Sequence, residues 1–252
     1  MIYETNGRAR EYFELAANLY NGCEHACRYC YGADVTHKKP DDFFRRGIPR
    51  PDALELLRSD AARLAKKGER RHILLSFITD PYQPAEAETC LTRAAINVLH
   101  NYGLYAAILT KGGHRATRDF DILSHLDLFG VSLTCRDPLT IARWEPNVPL
   151  VYERVESLKL AKSRGIPTWV SCEPVLVPGE TLALIEEAAP YTDHFKVGTL
   201  NYCEEAKATD WKRFAKDATA LLDRLGKPYY IKKDLARYLG QPDGITKGAV
   251  PK

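Results

Sequence analysis

NLYNGCEHACRYCYG, residues 18–32, sets three cysteines, Cys23, Cys27 and Cys30, at C-x3-C-x2-C spacing. Three thiolates from one short loop leave a metal centre with a coordination position open. Open positions do chemistry, whereas closed four-ligand sites usually hold structure together. Zinc would need a fourth ligand, and His25 and His37 are at hand. Zinc sites more often come as two separated C-x2-C pairs, however, and no second pair exists in the chain. An iron–sulfur cluster on three thiolates is the preferred reading, with structural zinc or unliganded cysteines as alternatives.

Outward from the loop, short apolar runs alternate with helix-period segments. The runs are HILLSFI (72–78), LYAAILT (104–110), LFGVSLT (128–134), PTWVSC (167–172), HFKVG (194–198) and PYYIK (228–232). Their shortness favours buried strands. One helix is expected to open at Pro51-Asp52, with Leu54, Leu57, Ala61 and Leu64 on one face and Gly68 past its end. Others are expected near 88–101, 117–126, 150–164, 180–189 and 209–225. With a first strand near Phe13 to Leu19, this makes six or seven βα units. The expected fold class is α/β: parallel strands in a partial (βα)6 TIM-like barrel, with a doubly wound open sheet as the alternative. Sites on such folds gather at the C-terminal strand ends. There the sequence puts the cysteine loop, Thr79-Asp80, Thr110-Lys111, Ser132, Glu173-Pro174 and Asn201, a candidate rim.

The 252 residues show no repeat or linker, so one domain is expected, with a core near 12–202 and a C-terminal extension near 203–252. Seven cysteines, an odd number, do not suggest a disulfide framework. A charged N-terminus and the lack of a long apolar run argue against a signal peptide or a membrane span, so a cytoplasmic protein is expected. The net charge of +3 permits an anionic partner without arguing for one.

CEHACRYC, with Tyr29 as its aromatic, resembles the signature of the radical S-adenosylmethionine (SAM) enzymes. Together with TDPYQPAE (79–86), LTKGGHRATRDFDIL (109–123) and WEP (144–146), it looks like the branch related to spore photoproduct lyase. SCEPV (171–175) and PYYIKK (228–233) also look like phage-associated radical SAM-like proteins of unknown function. The resemblance implies a [4Fe–4S] cluster ligated by Cys23, Cys27 and Cys30, with SAM on the fourth iron. Reductive cleavage of SAM would then yield a 5′-deoxyadenosyl radical that abstracts hydrogen from a substrate.

Cofactor contacts carry over by position. Lys111 resembles the lysine that meets the methionyl carboxylate of SAM, and Ser132 a serine near its ribose or methionyl end. Thr79 and Asp80 stand where relatives bind the SAM amino group, and Glu145 and Arg154 match an EP…R spacing. Glu173 departs from the photoproduct-lyase branch. It is assigned to the SAM or substrate site, with Lys196 or Lys232 as its expected partner. Asn201 completes the cofactor set.

The relatives' cysteine hydrogen donor is matched here by Ile78. Cys135 and Cys172, at strand ends, are the replacement candidates for donor or relay, while Cys90 reads as a buried small residue. No cysteine follows Cys203, so one cluster is expected. The expected partners are a flavodoxin- or ferredoxin-type reductant and a DNA or RNA substrate, with no membrane and no second copy of the chain. A peptide or small-molecule substrate, or a non-catalytic zinc or iron–sulfur binding module, is the alternative. Nucleic acid would be held by a stripe formed by Arg8, Arg10, Lys38, Lys39, Arg45, Arg46, Tyr229, Tyr230, Lys232 and Lys233.

Overall fold

The computed structural model of the protein describes residues 1–201 and 204–249. Each of the six apolar runs contains a strand. In chain order the strands are β1 (Ile2–Glu4), β2 (Leu15–Ala17), β3 (Tyr20–Asn21), β4 (Ile48–Pro49), β5 (Ile73–Leu75), β6 (Ala106–Thr110), β7 (Leu128–Ser132), β8 (Thr168–Cys172), β9 (His194–Val197), β10 (Tyr229–Ile231) and β11 (Ile245–Lys247). β3 and β4 pair with each other, and the other nine form one sheet in the order β1-β2-β5-β6-β7-β8-β9-β10-β11. From β2 to β10 every neighbouring pair is parallel, while β1 and β11 are antiparallel flanks. The flanks were not expected. The expected boundary between core and extension, and Cys203, lie outside the described residues.

Two-residue alternation sorts the strands into an inner and an outer face. Ala16, Leu74, Ala107, Leu128 and Trp169 share one cluster with Phe13. The intervening Leu15, Ile73, Ile108, Phe129, Val170 and Phe195 face the helices. The sheet curls around the inner set. Trp169 on β8 packs edge-on against Phe13, and Lys196 on β9 donates to the Glu11 carbonyl at 3.2 Å, although several strands separate them from β2. Trp169 lies over Gly130 of the paired β7 and donates to the Ile108 carbonyl at 3.0 Å. It plugs the interior, so the space above it, toward the C-terminal strand ends, is what remains for a ligand.

The expected helices form at Ala53–Lys66, Val151–Ser163, Pro178–Ala188 and Trp211–Arg224. Two expectations need correction. Residues 113–119 make a 3-10 segment in place of a helix over 117–126. There Asp119 is buried and takes Arg93, Arg118 and the Tyr82 hydroxyl, which fixes a turn. The helix expected over 88–101 breaks at Cys90, which has φ 49° and is exposed rather than buried. Buried Glu86 accepts from the Thr92 N–H at 3.0 Å and from Arg118 at 2.7 Å, and this pins the break.

A Cβ on Gly130 would stand 2.4 Å from the Trp169 ring. Gly130→Ala should therefore destabilise the fold by about 1–3 kcal/mol through overpacking. The check is a lower urea midpoint at unchanged m-value.

Candidate active site

The cysteine loop is short of apolar side chains, so buried polar bonds pin it. The Cys23 N–H donates to the Phe43 carbonyl at 2.9 Å, and the Arg28 N–H to the Trp144 carbonyl at 2.9 Å. Buried Gln83 accepts from the Glu24 N–H at 2.9 Å and donates to the Gly22 carbonyl at 3.2 Å. Gly22 has φ 99°, and a Cβ there would meet the Arg46 carbonyl oxygen at 2.5 Å, so glycine is required at this turn. Held this way, all three thiols line a cavity of about 630 Å³ at the C-terminal ends of the strands. Burial pushes each thiol up, Cys27 to about 12.

Tyr29, Thr79, Asp80, Lys111, Ser132, Glu173 and Asn201 line the same cavity. Burial alone would raise Asp80. His25 and the hydrogen bonds from the Lys111 N–H (2.7 Å), the Thr110 hydroxyl (2.6 Å) and the Tyr82 N–H (2.8 Å) instead hold it well below the usual carboxylate range. Asp80 thus ties the loop after β5 to the end of β6 through both of its oxygens. Thr79, beside it, is different: its hydroxyl is buried with no hydrogen-bond partner. Burial pulls the Lys111 ammonium down, but Cys27 and Glu145 more than offset that and leave it above the ordinary lysine range.

Arg154 does not reach the cavity. It is completely buried in an ion pair with Glu145, which is equally buried. The pair is a brace. Glu145 accepts from the Tyr29 hydroxyl and, at 3.1 Å, from Thr134, while Arg154 donates to the Ser132 carbonyl at 3.1 Å. One charge pair therefore fixes both the cysteine-loop aromatic and the end of β7.

Glu173 meets Lys232 rather than Lys196, and the Tyr12 hydroxyl donates to the same carboxylate oxygen. A Cβ on Gly198 would stand 2.7 Å from Glu173 Oε1, so glycine at this position leaves the carboxylate its place. Tyr12, Tyr31 and Phe77 add rings to this side of the cavity, with Phe77 5.7 Å from Tyr12 and 6.3 Å from Tyr31. Sequence reasoning missed Tyr12, Phe77 and Gln83. Gln83 sits inside TDPYQPAE, and that is the signal that could have found it.

Cys135 and Cys172 stand apart from the cavity, both buried in the outer core with the helices. Alternation explains Cys172: Ser171, 3.3 Å from the Tyr12 hydroxyl, and Glu173 take the inner face, so Cys172 points outward. Part of the expected basic stripe is taken up within the fold. Tyr229 is buried, Tyr230 donates to Glu11, and Lys232 is consumed by Glu173. Arg8 pairs with Asp234 at 3.0 Å and Arg46 with Glu88 at 3.9 Å.

A family model described as the radical SAM superfamily matches residues 17–189, which include the three cysteines, Thr79, Lys111 and Ser132. The chain belongs to the radical SAM superfamily. An uncharacterised protein of Mycobacterium tuberculosis is 30% identical over 174 residues, covering 65% of this chain and 50% of that one. The chain thus spans about half the length of the curated relatives it matches. Its fold is similar to that of spore photoproduct lyase, at TM-score 0.72 and 15% identity over 91% of this chain and 79% of that one. It is also similar to Streptococcus suis SuiB, solved bound to S-adenosylmethionine, at TM-score 0.63 and 12% identity over 88% and 51%.

The radical SAM family implies SAM and an iron–sulfur cluster, and the residues present fit both. Among the described residues no three His, Cys, Asp or Glu side chains converge as a single ion needs. Both ring nitrogens of His25, one of the two candidate fourth zinc ligands, are engaged by Asp80 and Arg115. Three thiols on the lining of one cavity suit a cluster, whose irons are separate. The unpartnered Thr79 hydroxyl and the Lys111 ammonium suit a zwitterion's amino and carboxylate ends.

Burial raises Glu145, but Arg154, Lys111 and the Tyr29 hydroxyl together hold it below its ordinary value of 4.5. A carboxylate depressed in the folded state contributes stability above its unfolded value, and loses it as pH falls through the folded one. Glu145→Gln should therefore flatten the acid limb of stability against pH. At neutral pH it leaves Arg154 buried without its counter-charge, at a cost of about 3–5 kcal/mol. Urea titrations from pH 3 to 7 measure both effects.

Proposed function

We propose that the chain is a radical SAM enzyme, one unit over residues 1–252, that abstracts a hydrogen atom from a nucleic-acid substrate in repair or base modification. The observation that carries this reading is the meeting of three thiols, an unpartnered hydroxyl and an ammonium in one cavity. With an iron–sulfur cluster of the [4Fe–4S] type and SAM bound there, one-electron reduction would supply methionine and a 5′-deoxyadenosyl radical for hydrogen abstraction.

The chain's own residues provide ligation, orientation and shelter. Cys23, Cys27 and Cys30 hold three irons. Lys111 takes the SAM carboxylate as a charge-assisted hydrogen bond, and Thr79 accepts from its ammonium. Ser132 and Asn201, on the same lining, would bond the ribose or methionyl end, and Tyr29 packs beside the thiols. Asp80, Glu145 and Arg154 are positioning residues that act through Lys111, Tyr29 and Ser132. The Trp169 plug and the aromatic wall keep water from the reacting carbon. A flavodoxin- or ferredoxin-type carrier supplies the electron. Support for nucleic acid comes from the ring-lined side of the cavity and from the likeness to spore photoproduct lyase, which has been solved with a dinucleoside photoproduct.

Anaerobic reconstitution with iron and sulfide should give a brown protein with about four irons per chain. Dithionite should then convert SAM to 5′-deoxyadenosine. Cys27→Ser should abolish both. Lys111→Met should keep the iron and weaken SAM binding by roughly ten- to a hundredfold, the range for losing a hydrogen bond to a charged group. A wild-type protein that takes up only zinc and never cleaves SAM would overturn the proposal.

A further inference from the structure

The ring-lined side of the cavity is built for something that the cofactor does not account for. Three rings meet there: Tyr12, Tyr31 and Phe77. Glu173 projects among them with its Oε2 taken by the Tyr12 hydroxyl and by Lys232. Its Oε1 has no donor among the described residues and packs against Gly198, while the side chain keeps some exposure on the cavity lining. The Lys232 ammonium lies 4.1 Å from the Tyr12 ring centroid, so it is engaged by a carboxylate and a ring face together. Arg8, on the cavity wall, is paired with Asp234. These two cations are thus engaged, and Lys111 lies on the cysteine side. Apart from Lys111, which the reading above gives to the cofactor, a phosphate entering this space would find no uncommitted cation among the described lining residues, whereas an uncharged ring finds faces to stack on and one carboxylate oxygen to donate to.

Access points the same way. Residues 6–9 form part of the wall, and the segment is clamped to the far end of the sheet. The Tyr230 hydroxyl and the Lys233 N–H each donate to Glu11 Oε1 at 2.8 Å, and Lys196 donates to the Glu11 and Tyr12 carbonyls. The side of the curled sheet is closed there, and a cavity of about 630 Å³ shared with a cofactor has room for a ring, not a duplex. Enzymes that act on a base take it out of the stack, hold it between aromatic side chains and read its edge with hydrogen bonds.

We infer that Tyr12, Phe77 and Tyr31 with Glu173 form a subsite for a single unstacked nucleobase that donates a ring N–H to Glu173 Oε1, its phosphates remaining outside. This subsite deepens the nucleic-acid reading above and rests on it for its position beside SAM.

Equilibrium dialysis of the full reconstituted chain against uridine and 3-methyluridine, with SAM cleavage assayed in parallel, tests it. Uridine should bind about tenfold or more tighter than the methylated analogue, the scale of one hydrogen bond to a charged group. Glu173→Gln should shrink that ratio, and Phe77→Ala should weaken both nucleosides about tenfold, as loss of a stacking partner does. The wild-type comparison stands even where a variant fails to fold. Equal binding of the two nucleosides, or tighter binding of N-acetyltryptophanamide than of uridine, overturns the subsite. Discrimination by a protein that never cleaves SAM supports the subsite while removing the radical reading, so the two failures are distinct.

Discussion

The pair Arg154–Glu145 has no exposed surface on either side chain, and the candidate site depends on it. Taking both charges out of water is expensive, and close geometry with further hydrogen bonds must offset the cost. Arg154 finds those bonds at the Pro149 and Ser132 carbonyls, and Glu145 finds them at Tyr29 and Thr134. Two of these bonds end on residues that line the cavity. Tyr29 lies between two of the cysteines, and Ser132 ends β7. The WEP segment thus matters as a fixed buried charge beneath the thiols, more than as a ligand contact.

The same economy appears where the cysteine loop has few apolar side chains to bury. Gln83, Asp80 and the His25–Arg115 contact replace packing with hydrogen bonds whose partners come from the ends of neighbouring strands. Such bonds are directional, so the thiols are set by geometry rather than by filling a volume. That serves a site whose ligands must face a cavity and cannot turn inward to a core.

How far the sequence was legible follows from range. The six apolar runs were readable because each carries its burial locally, and the curled parallel sheet followed from their alternation with helices. β1 and β11 were not, since three residues carry no usable period. The inner face was readable in principle: alternation alone puts Ser171 and Glu173 inside and Cys172 outside, yet the chemistry of a thiol drew attention to the wrong parity. Tyr12 was beyond reach. It meets Glu173 across 161 residues of chain, and only the curl of the sheet brings them together. The basic residues near both ends suggested a stripe because sequence shows charges without their partners. In the fold, Glu173, Asp234 and Glu88 take up three of them.

The neutralised interior bears on the chemistry itself. Lys196 lies below the cavity, beside the Phe13 and Trp169 rings, and burial together with Lys232 pushes it down to about 7. It is tolerated because two backbone carbonyls accept from it, and those carbonyls belong to the segment that closes the side of the sheet. The clamp and the plug are therefore one structure: Trp169 fills the interior, Lys196 sits beside it, and the N-terminal segment is drawn across both. A carbon-centred radical takes hydrogen from whatever is near, so selectivity requires that few groups approach it. A cavity above the buried Trp169 indole, closed at the side by a tied segment, leaves the mouth as the way in, so the shape of the mouth limits what can approach.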